Sequence, residues 1–447
     1  MNRHILFAVL GLAGVPGVAA AAPDGAVPAD AVSQNRLEAD VARLVAFGTR
    51  HTLSTQTDPK RGIGAARSWA EAELRKAGQA CGGCLEIVLP ETTVQGERVP
   101  SPTRLVDVVA IQRGTGRPNE VVIVQGHIDS RNSDPLDAAG IAPGANDDGS
   151  GTALVLEAAR VLSKQKFAGT IVYAVLSGEE QGLYGGSLLA DYAKKQGWTV
   201  KAVLNNDIVG NSRGSDGLVD ADHVRVFSEG PRGDASEGAR DALRAIGGEN
   251  DSPSRNLSRW IAGLGTAELS VRQVWRADRM GRGGDHLPFQ EAGYPAVRFT
   301  VAVENYERQH QNVRSEAGRP FGDTMEAMDF AYLAKVTALN VRALATLAQT
   351  PMPPMAKVTA AVQTFTDINW TPVAGAARYT VWQRRTDAPG WEPKPVLSTA
   401  DTHVRLDGVR GDDWFFGLSA VSADGAESPV ASAVPAGAFA PEAVEKR

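Results

Sequence analysis

Apolar positions recur at two periods along this chain, and their alternation predicts its architecture. Val121 to Gln125 and Thr170 to Leu176 are near-continuous apolar runs, the pattern of strands buried on both faces. Leu85 to Leu89, Leu105 to Ile111, Val200 to Leu204 and Ala296 to Val303 read as further strands. Between them lie stretches of helical spacing. They are Ala29 to Phe47, Gly62 to Gly78, Gly149 to Lys164, Ser187 to Lys195, Ser236 to Ile246 and Asp323 to Ala348. Such alternation predicts an α/β domain, a largely parallel mixed sheet flanked by helices. In sheets of this kind ligands gather at the carboxyl ends of the strands.

The pattern changes after Gln349. Gln349 to Met355 carries three prolines and no periodicity, and reads as a linker. Beyond it, Asp367 to Trp370, Arg378 to Val381 and Trp414 to Val421 alternate with period 2, separated by turns at Ala374-Gly375 and Asp424-Gly425. About 80 residues of short strands predict a small all-β sandwich. Trp370, Tyr379 and the Phe416-Leu418-Ala420 face resemble a fibronectin type III module. The expected division is a leader over 1–22, an α/β domain over 23–350 and the sandwich over 354–437.

Composition narrows the partners. The net charge of −6 argues against nucleic acid, whose phosphates need a basic surface. Residues 1–22 read as a secretory signal: Arg3 and His4, an apolar run from Ile5 to Val18, then small residues from Ala19 to Ala22. A membrane anchor is the alternative, but the run falls short of the ~20 residues a span needs and contains Gly11, Gly14, Pro16 and Gly17. The expectation is an exported soluble protein without a membrane span, periplasmic or extracellular. In that setting Cys81 and Cys84, the only cysteines, read first as a local disulfide. A redox motif or half of a zinc site are the weaker readings.

Five short stretches put His, Asp or Glu at or near strand ends. In Gly126-His127-Ile128-Asp129, residues two apart face the same way if the chain stays extended, so Asp129 could orient His127. Gly144-Ala145-Asn146-Asp147-Asp148-Gly149-Ser150-Gly151 holds two adjacent carboxylates before a helix. A helix N-cap would explain one aspartate and leave the other without a role. Ser177-Gly178-Glu179-Glu180-Gln181-Gly182 pairs two glutamates between glycines, where a solvated turn is the bland alternative. Asn205-Asn206-Asp207 and Gln309-His310-Gln311 are, taken singly, ordinary polar termini. Their joint occurrence is the argument, because one sheet type gathers all these ends into one crevice.

Together these motifs resemble the co-catalytic di-zinc exopeptidases related to bacterial leucyl aminopeptidase and glutamate carboxypeptidase, over about Ala29 to Ala348. The resemblance implies that His127 and Asp207 hold one Zn²⁺, Glu180 and His310 hold the other, and Asp147 bridges them. It implies Glu179 as general base and a cis peptide between Asp147 and Asp148. Asp285-His286 matches a segment lining the site, with substrate contact and loop structuring both open for His286. Three carboxylates and a hydroxide would neutralise two Zn²⁺, and Co²⁺ or Mn²⁺ suits the same donors. The implied activity is hydrolysis of peptides from the amino terminus, with a carboxypeptidase, a dipeptidase or a non-catalytic binding protein as alternatives. The sandwich is expected to contact a surface or polymer.

Overall fold

The computed structural model describes residues 28–441, so the leader expected over 1–22 lies outside the described residues. The strands of the larger part are β1 (Glu86–Val88), β2 (Glu91–Gly96), β3 (Val99–Val106), β4 (Val108–Gln112), β5 (Arg117–His127), β6 (Gly169–Leu176), β7 (Thr199–Asn206), β8 (His223–Ser228), β9 (Ser270–Val274) and β10 (Ala296–Val301). Eight of them form one sheet in the order β1-β4-β6-β5-β7-β10-β8-β9. The central strands β6, β5, β7 and β10 run parallel, and β4 and β8 lie antiparallel beside them. The helices are α1 (Gln34–Val45), α2 (Gly62–Ala80), α3 (Gly149–Leu162), α4 (Tyr184–Lys195), α5 (Glu237–Ala245), α6 (Pro253–Ala262), α7 (Leu287–Glu291) and α8 (Phe330–Gln349).

Both faces of the sheet are covered, which is why its central strands are apolar without alternation. Val122 and Val124 pack with Leu37, Leu74, Leu154 and Leu344 on one side. Val121 and Ile123 pack with Leu189, Ala193 and Phe289 on the other. Each such side chain contributes about 1.5–3 kcal/mol when fully buried. This is the α/β architecture that the periodicity predicts.

Three elements differ from the periodic reading. The run from Leu105 to Ile111 is two strands broken at Asp107, whose carboxylate accepts a bond from Ser177 N (2.9 Å). The first helix starts at Gln34, where Ser33 caps it, after a separate turn over Pro28–Ala31. The last long helix starts at Phe330, capped by Asp329, because Asp323 is committed to holding another loop. The exposed, polar β2–β3 hairpin, and the β8, α6 and β9 elements, carried no clear signal.

Cys81 and Cys84 are bonded to each other just past α2 (S–S 1.98 Å). No helix among the described residues is long and apolar enough to cross a membrane.

Past Thr350 come β11 and β12's successors in chain order: after the small hairpin of β11 (Arg314–Glu316) and β12 (Arg319–Phe321), the chain adds β13 (Ala356–Thr359), β14 (Phe365–Trp370), β15 (Arg378–Arg385), β16 (Leu397–Thr399), β17 (His403–Asp407), β18 (Trp414–Val421) and β19 (Ala431–Ser432). These last seven form two antiparallel sheets, β13-β14-β17 and β16-β15-β18-β19. Ile368, Trp370, Tyr379, Val381 and Leu418 fill the space within them, with Trp370 and Tyr379 edge to face at 5.5 Å. The small sheets are fastened to the larger part. Buried Asp251 pairs with Arg259 (3.2 Å) and with Arg384, and Asn256 donates to Ser432 Oγ (2.7 Å). Arg117, the first residue of β5, lies against Gly375 and donates to the Gln349 and Thr350 carbonyls. The contact is therefore at the amino ends of the parallel strands, away from the ends where His127 and Asp207 sit.

Candidate metal centre

His127 is the last residue of β5 and Asp207 follows β7 directly. Glu180 follows β6 after a short loop, and His310 lies in the loop after β10 with φ of +50°. Asp147 precedes α3. Gly126 is required beneath this site: a Cβ there would stand 2.7 Å from the Gly151 carbonyl carbon. That closeness lets Asp148 reach both His127 N (3.0 Å) and Gly151 N (2.9 Å). Asp148 is thus the N-cap of α3, and Asp147 is left free to face the strand ends. The peptide between them is cis.

Asp147 divides its oxygens between two imidazoles. Oδ1 lies 3.3 Å from His127 Nε2, and Oδ2 lies 3.0 Å from His310 Nε2. Asp207 Oδ1 is 3.9 Å from His127 Nε2, and Glu180 Oε1 is 3.1 Å from His310 Nε2. Two groups result, His127-Asp147-Asp207 and Asp147-Glu180-His310, each with donor atoms within 4.8 Å of one another. All five side chains singled out in the sequence as ligands converge here.

The donor set fits zinc. Imidazole nitrogen and carboxylate oxygen are its usual partners outside thiolate sites. His127 Nε2 and Glu180 Oε1 are buried without a hydrogen bond, which is costly unless something else engages them. The electrostatics call for positive charge. Burial alone would depress His127, yet Glu179, Asp129, Asp147 and Asp207 hold it well above the ordinary histidine value. His310, likewise opposed by burial, is pushed up to about 10 by Glu180 and Asp147. Against burial, His310 and His127 hold Asp147 well below the usual carboxylate range.

The surrounding residues fix this geometry. Asp129 does so differently from the extended-strand expectation. His127 Nδ1 meets the Asp129 carbonyl at 3.1 Å, with the carboxylate farther off at 3.6 Å. The Asp129 carboxylate instead accepts bonds from Gly178, Glu179 and Glu180 N–H groups and from Thr52 Oγ. It therefore anchors the loop carrying both glutamates. Glu179 is half-buried beside the two groups. Burial, helped by Asp207, Glu180 and Asp285, pushes its carboxyl well above the usual range.

Three supports escaped the sequence reading. Asp323 accepts from Asn146 N (2.9 Å) and Asp147 N (2.7 Å). Arg50, fully buried, donates to the Ile128, Pro143 and Gly144 carbonyls and so ties the His127 loop to the Asp147 loop. Arg298 pairs with Asp207 (2.9 Å) and Asp278 (3.1 Å). Only Arg298 left a trace, a cation inside the apolar run of β10.

Asp285 lies close enough to His127, Asp129 and Asp207 for their charges to act on it, and burial pushes its carboxyl up to about 7. One of its oxygens accepts from Gly186 N (3.1 Å) and the other makes no hydrogen bond. His286, for which substrate contact and loop structuring were both open, is fully buried, and its Nε2 donates to the Ala277 carbonyl (2.7 Å), contacts that favour the loop-structuring option.

Residues 107–329 match the profile of Peptidase family M28. A protein of Pyricularia oryzae named as a probable zinc metalloprotease is 42% identical over 421 residues, covering 90% of this chain and 83% of that one. The chain belongs to peptidase family M28. As a member it is a zinc metalloprotease. A second relative of the same description, from Leptosphaeria maculans, is 39% identical over 92% of this chain and 98% of its own. Among solved structures, the Legionella pneumophila LapA aminopeptidase aligns with a TM-score of 0.50 and 19% identity, over 72% of this chain and 74% of that one. A leucine aminopeptidase precursor from Bacteroides thetaiotaomicron aligns with a TM-score of 0.50 and 14% identity, over 70% and 97%. At those identities the likeness is one of fold.

Proposed function

We propose that this M28 metalloprotease is an exported aminopeptidase with two zinc ions, His127 and Asp207 holding one, Glu180 and His310 the other, and Asp147 both. The observation that carries the reading is the pair of ligand groups meeting in one carboxylate, with Glu179 beside them. Zinc bound there supplies Lewis acidity, making a water acidic and a carbonyl electrophilic. Glu179, its basicity raised by burial and by neighbouring carboxylates, takes the water proton and delivers it to the leaving amine. Asp129 keeps Glu179 in position through the backbone of its loop. The carboxylates about the centre attract the free α-amine of a peptide, which confines cutting to the first bond.

Export is supported by the leader-like residues 1–22 and by the Cys81–Cys84 disulfide. We read residues 23–350 as the peptidase domain and 354–437 as a fibronectin type III-like domain, supported by its division into sheets of three and four strands. Its contact with a surface or polymer belongs to the same proposal.

The test is hydrolysis of leucine anilide and of its N-acetylated form, with and without chelator. Loss of activity on chelation, restoration by zinc and refusal of the blocked substrate are expected. A rate indifferent to chelator, or equal cleavage of the blocked compound, overturns the reading.

A further inference from the structure

A second polar cavity lies apart from the metal centre. Its volume is about 140 Å³, and Gln56, Arg67, Glu71, Arg104, Val106 and Val108 are among its walls. Arg67, on α2, is only 7% exposed. Its guanidinium donates to the neutral side chain of Gln56, and no carboxylate stands within ion-pair distance of it among the described residues. That leaves most of its five N–H donors without an acidic partner. A cation withdrawn from water to this extent is costly unless an anion meets it. Asp107 is the acid whose charge reaches Arg67, but it stays outside ion-pair distance; one of its oxygens accepts from Ser177 N and the other makes no hydrogen bond. Glu71 is paired with Arg75 at 2.7 Å. Arg104, on β3, adds a second positive charge at the rim, where Glu91 holds one of its edges. Val106 and Val108, both buried, give the cavity an apolar wall.

We infer that this cavity is a binding site for a small aliphatic carboxylate, its oxygens on Arg67 and Arg104 and its alkyl part on Val106 and Val108. A guanidinium matches a carboxylate with two parallel N–H donors, which a spherical halide cannot exploit. A free amino acid and a simple fatty carboxylate share this chemistry; they differ in the α-amine, which would have to compete with Arg75 for Glu71. The β2–β3 hairpin links the cavity to the loop that carries Glu180. Gln56 donates to the Arg104 carbonyl (3.2 Å), and Arg98, at the turn of the same β2–β3 hairpin, donates to the Glu180 carbonyl (3.1 Å).

Calorimetric titration of the zinc-loaded protein with isovalerate, isovaleramide and leucine tests the inference, alongside Arg67→Met and the rim variant Arg104→Gln. Saturable binding of isovalerate or leucine is expected, weakened roughly tenfold or more in each variant, as loss of a charged pair predicts. Tighter binding of leucine that weakens in both variants identifies a free amino acid as the ligand, and equal or tighter isovalerate a simple carboxylate. Isovaleramide, which lacks both charge and amine, binding as well as isovalerate removes the carboxylate from the argument and overturns it. So does unchanged isovalerate affinity in both variants, which would assign the anion to the metal centre.

Discussion

Asp129→Asn isolates the claim that one carboxylate holds the catalytic loop. The wild-type Oδ1 accepts from Gly178 N (2.9 Å) and Glu179 N (3.3 Å), and Oδ2 accepts from Glu180 N (3.1 Å) and Thr52 Oγ (3.0 Å). Asparagine offers one oxygen and one NH₂ group. With its oxygen toward Gly178 and Glu179, the Glu180 N–H faces another donor, while the Thr52 hydroxyl can turn to accept. An unpaired buried donor costs about 1–3 kcal/mol, and losing the charge weakens the bonds that remain, so about 2–4 kcal/mol in all. If the transition state bears that cost in full, kcat/KM for leucine anilide falls by roughly 30- to 1,000-fold. A urea midpoint measured beside it reports the part that appears as stability. Thr52→Ala, which spares the backbone bonds, is expected to cost less in both assays. Wild-type turnover together with an unshifted midpoint in Asp129→Asn would refute the anchoring role.

Four further outcomes are expected. Glu179→Gln lowers turnover by about 10²- to 10⁴-fold while elemental analysis still finds the wild-type zinc content; loss of zinc would make Glu179 a ligand. Asp147→Ala, which removes the shared carboxylate, depletes zinc more deeply than Asp207→Ala, and equal depletion counts against a bridging role. Asp251→Ala leaves Arg259 and Arg384 buried without their acid, so unfolding measurements are expected to show a loss of about 3–5 kcal/mol. Glu229 is pushed from 4.5 up to about 7 by burial and by Asp234. Between those values the folded chain holds a proton that the unfolded chain releases, so stability falls as pH rises through that window. Glu229→Gln removes this dependence and raises stability at pH 8 by about 1–2 kcal/mol, allowing for the partial exposure of the group; parallel pH profiles of the two proteins would contradict this.

The residues that converge at the centre were legible because their short motifs lie at strand ends or in the loops beyond them, where this sheet type gathers ligands, and because the resemblance picked out which carboxylate of each motif acts. His127, Asp147, Glu180, Asp207 and His310 required no knowledge of register. What holds them was not legible. Arg50 and Asp323 act on backbone groups distant in sequence, and nothing in their local pattern marks that task. Asp323 was even absorbed into a helix, since helical spacing cannot see a carboxylate engaged elsewhere. Arg298 carried a weak signal, a charge where both faces of the strand are covered. Extended-strand geometry pairs Asp129 with the ring of His127, and its carboxylate stands 3.6 Å from that ring, but nothing local announced its three backbone donors in the next strand's loop. The β2–β3 hairpin was missed because it buries too little apolar surface to impose a period.

The side chains gathered about Asp147 come from the end of one strand and the segments after three others, the first at residue 127 and the last at residue 310. No local stretch can assemble them, so the site is a late product of folding. A chain still being synthesised cannot complete it before the loop carrying residue 310 has reached its place beyond β10. Acquisition of the ion therefore reports completed tertiary structure, and an unfinished chain is kept from hydrolysing its neighbours.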